Sequence, residues 1–479
     1  QDAFILYRNV FRPLRDFRRR LVGMKPSTSV WSDASQRRRV LVLTHTRTWG
    51  DVGWGEQGDI VLGPVIDELL RRGFSVVGVE ADYSVQGELT SLRARLRYGP
   101  WMPFEAFFDR TISSKERLVL REKGKRWRIL YRHPGFEALF CVERVSLFPV
   151  LAERLRQAFG FFAGEAVRYL EAARKIMKQL RPAVILLAYE TGPIGRATIM
   201  AAQEIGIPTV AVQHGRIHPR HHLYVNNRVS WAGLRVDPWG CPIPDRTAVF
   251  GPETAQVLTK VSSYPPKAVV VTGQPRTDRI CVGLDRFDRR RVANRIGLDP
   301  GRPILLLATQ NFPRQEDRHR VLEVAAAGAM RVPDVQVVIK PHPGEKDNFL
   351  ERTLMKLGAS KVIVRRDLDL YTALALCDVL ATGTSTVGIE ALMFGKPVII
   401  VGGLPSPLPL ASVGAALEAN SDEEFARFLR ELLSGGRILD QLRQAAQAYL
   451  ADAFYKVDGR ASERVVDTIE QLLEGEVDR

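Results

Sequence analysis

From residue 38 onward the chain alternates between short, nearly continuous runs of Val, Ile, Leu and Ala and stretches whose apolar residues recur three and four apart. The apolar runs are RRVLVLTHT (38–46), FSVVGVEAD (74–82), PAVILLAYE (182–190), PTVAVQHG (208–215), TAVFG (247–251) and KAVVVTG (267–273). Strands that are apolar on both faces belong to parallel sheets covered by helices on each side. The intervening segments, such as GPVIDELLRRG and ATIMAAQEIG, have helical spacing and end on Gly, as helix C-caps do. The pattern then starts again with RPILLLAT (302–309), VQVVIK (335–340), KVIVRR (361–366), DVLATG (378–383) and KPVIIVG (396–402). Helices are expected between them, in RHRVLEVAAAGAM and STVGIEALMFG.

Two successive alternating sets predict an α/β chain of two doubly wound, Rossmann-like domains facing a cleft. The length of 479 residues agrees, since one core rarely grows so large. The expected divisions are a basic N-terminal extension (1–37), a first domain (38–282), a second domain (283–440) and a helical tail (441–479). The charged stretch GLDRFDRRRVANRIGLDPGR (283–302) marks the boundary. Residues from about 84 to 170 break the alternation and read as a helical insertion, with WMPFEAFFDR and FGFFAGEAVRYLEAARKIM as its aromatic parts.

Charge adds a second layer. The net charge is +15. Residues 1–40 carry ten Lys/Arg against three Asp/Glu, and the run 113–133 carries eight against two. Such runs favour phosphates or remain solvated faces. Tyr7, Val10, Leu14, Phe17 and Leu21 form an apolar stripe opposite the first basic run, interrupted by Pro13. An anionic membrane surface is therefore an expected partner of residues 1–40. Trp127 and Tyr131 lie within the second basic run, but no nucleic-acid recognition motif accompanies them, and none is expected to be bound. No apolar run is long enough to span a bilayer, and QDAFILYRNV lacks a signal-peptide pattern. Four widely spaced cysteines without a CxxC pair argue against a zinc or disulfide framework. A cytoplasmic chain, peripheral on the inner membrane face, is expected.

Candidate chemistry lies where strands end, because open α/β sheets bind ligands at their C-terminal edge. In VVIKPHPGE (337–345), His342 stands between Pro341 and Pro343, which stiffen the turn, with Lys340 before and Gly344 after. In ATGTSTVGIEALMFG (381–395), Gly383, Thr384, Ser385 and Thr386 open a helix whose first amides suit a phosphate, and Glu390 lies one turn in, within reach of a ribose diol. Thr309 and Gln310 end a third strand. In the first domain, Glu190 ends a strand in AYETGPIGRA, where a carboxylate suits proton abstraction. QHGRIHPRHH (213–222) reads as a polar, partly cationic cleft loop that holds phosphate or acceptor, with His214 as its catalytic candidate and Arg216 on the acceptor side. WGDVGWGEQGD (49–59) offers Gly50, Asp51, Gly53 and Glu56 on the acceptor side, with Asp51, Glu56 or Asp59 as alternative bases. GxGxxG is absent, which disfavours a Rossmann cofactor. The DxD triplet in RDLDLY (366–371) reads as a helix cap, and no metal or cofactor is expected.

KPHPG followed by ATGTSTVGIEALMFGKPVI resembles the donor domain of GT-B fold transferases of bacterial envelope polysaccharides. These include capsule-type glycosyltransferases, Kdo and sialic-acid transferases and CDP-glycerol glycerophosphotransferases. GIPTVAVQHG and VVVTGQPRTDRI resemble the same group, and the resemblance spans roughly residues 180–405. It implies that His342, Pro343 and residues 384–386 contact donor phosphate and that Glu390 binds ribose. Glu190 resembles the acid of the acid-plus-glycine motif in sialyl- and Kdo-type enzymes, although Thr191 stands where a second acid is common. The implied activity is inverting, metal-independent transfer from a nucleotide-sugar to an envelope glycan or lipid-linked acceptor. CDP-glycerol-type phosphotransfer and nucleotide-sugar 2-epimerisation are the alternatives. Epimerases of this fold carry an HxEAG-like segment, whereas Gly215 follows His214 here.

Overall fold

A computed structural model describes residue 16 and residues 38–82, 90–142, 144–221, 223–224, 242–262, 264–312, 314–345, 348–359, 362–404 and 408–475. The expected membrane-facing stripe of residues 1–37 lies outside the described residues except for Asp16, whose carboxylate pairs with Arg168.

The chain forms two compact units. In the first, a seven-stranded sheet runs in the order β11–β10–β9–β8–β1–β4–β5. Its strands are β1 (Arg39–His45), β4 (Ser75–Ala81), β5 (Trp101–Pro103), β8 (Val184–Leu187), β9 (Thr209–Val212), β10 (Arg246–Val249) and β11 (Val269–Val271). Between them lie a hairpin of β2 (Trp49–Gly53) and β3 (Glu56–Asp59) and a short ribbon of β6 (Cys141–Val142) and β7 (Val145–Ser146). The second unit holds a six-stranded sheet in the order β14–β13–β12–β15–β16–β17. Its strands are β12 (Ile304–Ala308), β13 (Gln336–Lys340), β14 (Ile363–Val364), β15 (Val379–Thr382), β16 (Val398–Val401) and β17 (Leu417–Ala419). All neighbours in both sheets pair in parallel, as between Val40 and Val184 or Ala308 and Lys340.

Apolar runs become central strands because each face of the sheet meets a helix. Leu41 and Leu43 join one core with Ile176 and Ile194, while Val40 and Val42 join another with Leu62 and Ile66. Each such side chain, fully buried, contributes roughly 1.5–3 kcal/mol, which no exposed strand face would recover.

Three features differ from the sequence expectation. The insertion is narrower than 84–170, because β5 extends the sheet; the helical part runs from Arg110–Tyr131 to Phe148–Leu180. The boundary lies six residues before 283: the units divide between Arg276 and Thr277, and within 283–302 the helix Arg289–Arg295 buries Val292 and Ala293 in the second unit's core. The tail is not one piece. Its helix Ala461–Glu474 carries Val465, Val466 and Ile469 into the first unit's core, so Ser462 onward belongs there. Amphipathic spacing marks a helix but not which sheet will cover its apolar face.

Candidate active site

Both sheets change winding direction at one pair of neighbouring strands. In the first, the chain builds β4 and β5 on one side of β1 and then β8 to β11 on the other. In the second, β13 and β14 lie on one side of β12 and β15 to β17 on the other. Connections leaving such a pair part to opposite faces and open a crevice at the strand ends. Glu190 follows β8, and Thr309, Gln310 and residues 383–386 follow β12 and β15, at these two points; His214 and His342 follow the next strands out, β9 and β13.

In the first unit, β8 delivers Glu190 and β9 delivers His214. Glu190 is 2% exposed. Its Oε1 accepts a hydrogen bond from the Tyr224 hydroxyl at 2.6 Å. Its Oε2 lies 3.9 Å from His214 Nδ1, and both atoms are buried without a hydrogen-bond partner. Burial pushes the Glu190 carboxyl up to about 7, against the smaller opposing pull of the Tyr224 hydrogen bond. Burial lowers His214 to about 4, so the imidazole is neutral at physiological pH. The Tyr189 ring stacks on His214 with centroids 3.9 Å apart, and His45, at the end of β1, lies 5.2 Å from Tyr189 on centroids. Tyr189 has φ +60, an uncommon backbone for a bulky residue.

Gly195 makes that turn possible. A Cβ there would lie 2.5 Å from the Tyr189 carbonyl oxygen and 2.9 Å from Glu190 Cα. Both obstacles are backbone and cannot swing aside. Gly195→Ala is expected to cost about 1–3 kcal/mol, read as a lower Tm, and to displace Glu190. An unchanged Tm with unchanged turnover would mean that the turn has slack.

In the second unit, the ends of the adjacent strands β13, β12 and β15 converge. Gly344 N–H donates to His342 Nδ1 at 3.0 Å. In the neutral ring the proton is then on Nε2, which makes the outer nitrogen a donor. His342 N–H donates to Thr309 Oγ1 at 3.1 Å and to Glu345 Oε2 at 3.2 Å. Glu345 is buried, accepts from the Thr309 hydroxyl, and pairs with Arg318 at 3.1 Å. Across β12 and β15, Gln310 Nε2 donates to Thr384 Oγ1 at 2.7 Å, and Thr384 N–H returns a bond to Gln310 Oε1 at 2.8 Å. Ser385 Oγ accepts from Val387 N–H at 3.3 Å at the start of the helix Val387–Met393. Glu390 lies in the first turn of that helix, half-buried, and Thr386 is exposed.

Residues 310–405 match the family model described as capsule polysaccharide biosynthesis protein. A lipid-A-disaccharide synthase of Geobacter metallireducens is 28% identical over 163 residues, 33% of this chain and 39% of that protein. The chain thus spans well under half the length of this relative. Among solved structures, the UDP-GlcNAc 2-epimerase of Neisseria meningitidis, bound to UDP-GlcNAc, superposes with TM-score 0.58 at 14% identity, over 90% of this chain and all of that one. A glycosyltransferase of Rickettsia africae superposes with TM-score 0.50 at 10% identity, over 91% and 98% of the two chains. The chain has the GT-B fold.

Within this GT-B chain, several expected ligand contacts have other work. The Thr309 hydroxyl and the Gln310 amide are spent on Glu345 and Thr384, so both residues position loops. Gly383 makes room for protein: a Cβ there would meet Phe312 Cζ at 2.7 Å. Lys340 ends β13 and is partly buried; burial lowers its pKa, against the pull of Asp51, Asp369 and Asp367.

The acceptor-side hairpin needs the largest correction. Its tip, Asp51–Gln57, belongs to the second unit. Trp54 packs against Phe287, Tyr371 and Phe394, each at 6.0 Å on centroids, and its Nε1 donates to the Arg279 carbonyl at 2.8 Å. Asp51 accepts from Gly53 N–H at 2.8 Å, and Glu56 pairs with Arg279 at 2.8 Å. Of Gly50, Asp51, Gly53 and Glu56, Gly50 alone stays with the first unit, to which Gly58 and Asp59 also belong. Asp59, an alternative base, is fully buried and accepts from Thr44, Thr48, Arg95 and the amides of Val61 and Leu62. Arg216 lies 3.7 Å from Glu253. Asp369 caps the helix Leu370–Leu376 through Thr372 N–H at 3.0 Å, as the cap reading expects.

The sequence reading did not select Tyr189, Tyr224, His45 or Glu345. Glu345 carried a signal, as the acid three residues after His342 in HPGE. Tyr224 carried none, since it lies 34 residues from Glu190.

Proposed function

We propose that the protein transfers a sugar from a nucleotide-activated donor to a hydroxyl of an envelope glycan or lipid-linked acceptor. The observation that carries this reading is the buried Glu190 carboxylate, whose Oε2 has no partner and whose pKa of about 7 suits a general base at neutral pH. A hydroxyl oxygen meeting both Glu190 Oε2 and His214 Nδ1, 3.9 Å apart, would be held and deprotonated there. The acceptor oxygen forms the new bond to the anomeric carbon as the bond to the nucleotide phosphate breaks. The proton goes to Glu190, and the electron pair leaves with the phosphate, with inversion at carbon.

The departing phosphate is assigned to His342 Nε2 and the 384–386 loop, where fixed donors stabilise charge as it develops. The similarity to a capsule polysaccharide family model over 310–405 supports the envelope acceptor, and the UDP-GlcNAc bound to the Neisseria epimerase supports a nucleotide-sugar donor. The same fold likeness keeps 2-epimerisation as the second reading. Incubation with UDP-GlcNAc and no acceptor separates the two, since formation of a new sugar nucleotide would sink the transferase reading.

The donor side is tested by His342→Ala. One lost hydrogen bond to a charged phosphate is worth about 1.5–3 kcal/mol, or roughly 10- to 100-fold in Kd. Calorimetric titration with whichever of UDP, CMP, CDP and GDP raises the Tm most gives the number. Equal affinity in the variant removes His342 from the phosphate site.

A further inference from the structure

The helical insertion ends in a surface that the transfer chemistry does not use. The helix Phe148–Leu180 has 33 residues, roughly 50 Å at 1.5 Å per residue. Its C-terminal part, from Tyr169 to Leu180, is buried in the first unit's core. Its N-terminal part runs beside the helix Arg110–Tyr131. At the far end, the short helix Pro134–Ala138 and the β6–β7 ribbon close the hairpin.

Aromatic side chains hold this tip together. Trp127 meets Phe136 at 5.9 Å, Tyr131 meets Phe148 at 5.2 Å, and Phe140 stacks on Phe148 at 5.7 Å. Trp127 and Phe148 are buried. Aliphatic side chains are left outside. Ile129 is 63% exposed, Val142 57%, Val145 62% and Val150 80%. Val142 and Val145 are paired across the ribbon, so they share one face. Exposed Lys123, Lys125, Arg128, Arg132 and Arg144 lie on the same helical hairpin, and exposed Glu137 and Glu153 lie there too. Isolated exposed valines are ordinary, but four exposed aliphatics at the closed end of one hairpin that carries more cations than acids are a candidate contact surface.

We infer that this tip docks on an anionic lipid bilayer, with Ile129, Val142, Val145 and Val150 entering the headgroup boundary and the Lys and Arg of the same hairpin meeting lipid phosphates. Exposed aliphatics at the closed end and an excess of cations along the hairpin match the two layers of such an interface. A single-stranded nucleic acid would call for several exposed aromatic faces in a row, and here Trp127 and Phe148 are turned inward while Tyr131 is half exposed. Self-association would set cation against cation. The inference stands without the transferase reading, because its test uses no substrate.

The full chain is sedimented with vesicles of phosphatidylglycerol and phosphatidylcholine, and with phosphatidylcholine alone. Wild type is expected to partition to the anionic vesicles. Val142→Ser, Val145→Ser and Val150→Ser together lower the partition coefficient by about 30-fold. Lys125→Glu with Arg128→Glu lowers it by more than about tenfold on anionic vesicles. Leu118→Ser, an exposed change about three turns back along its helix, leaves it unaltered. All these side chains are exposed, so each variant keeps the wild-type Tm. Wild-type partition in both tip variants overturns the inference, as does equal binding to neutral vesicles. A change of oligomeric state in the valine variant with vesicle binding intact identifies a chain–chain contact and also overturns it.

Discussion

Glu190→Gln is expected to lower turnover by roughly 100- to 10,000-fold while leaving nucleotide affinity unchanged. The amide keeps the shape and the Tyr224 contact but cannot take a proton. Wild-type kcat/KM should rise with pH through about 7, where the carboxyl ionises, and the residual rate of the variant should lose that inflection. Full activity in the variant would remove Glu190 as the base. The same substitution carries an opposite effect on stability. The unfolded carboxyl titrates near 4.5 and the folded one near 7, so between these values the folded chain holds a proton that the unfolded chain has released. Stability from this group is therefore present at low pH and lost as pH rises from about 4.5 to 7. At pH 8 the loss amounts to about 3 kcal/mol, which Glu190→Gln restores. His214 works the other way: its depressed pKa makes stability fall as pH drops from about 6.5 to 4. In wild type the two slopes oppose each other, and in the variant only the His214 slope is left of this pair. Denaturant titrations of both chains across this range measure it.

Arg95→Met is expected to be the most destabilising single change in the first unit. Arg95 is fully buried and pairs with Asp59 at 2.7 Å and with Glu80, while also donating to the His45 carbonyl at 3.0 Å. Removing the cation takes the Arg95 ion pair from two buried carboxylates, a cost of about 3–5 kcal/mol. For a unit of this size that lowers Tm by roughly 10 °C. A fall of less than about 2 °C would show that water or protonation compensates. Added salt should not mimic the change, because the pair is shielded from solvent. The network also holds the end of β1, where His45 faces Tyr189, so a folded Arg95→Met chain should lose turnover too.

The two expectations differ in how visible their causes were in the sequence. Glu190 and His342 stand out in the sequence as candidates because each follows an apolar run, and a parallel sheet puts such ends at the edge where ligands bind. Thr309 and Gln310 were legible as neighbours of the site, but not as the residues that hold its loops. A hydroxyl or an amide has the same chemistry toward a ligand as toward a carboxylate 36 residues away, and only the packing of Glu345 decides between them. The hairpin at 49–59 was misassigned for a related reason. Local order places it after β1, but Trp54 is large and apolar, and the aromatic hole that fits it lies in the second unit.

What the sequence alone determined is the part fixed by periodicity and by local backbone chemistry. That covers two parallel-sheet units, their strand runs, the helix stops at glycine, the stiff HPG turn and the Asp369 cap. What only the tertiary structure decided is everything that depends on which distant residues share a volume. It turned Asp59 from a candidate base into a buried partner of Arg95, and it brought Tyr224 to Glu190. It also left Glu190 Oε2 desolvated and unpartnered, which raises its pKa to about 7. Desolvation is a property of the surroundings of a group and not of its neighbours in the chain, so no spacing in the sequence could have carried it.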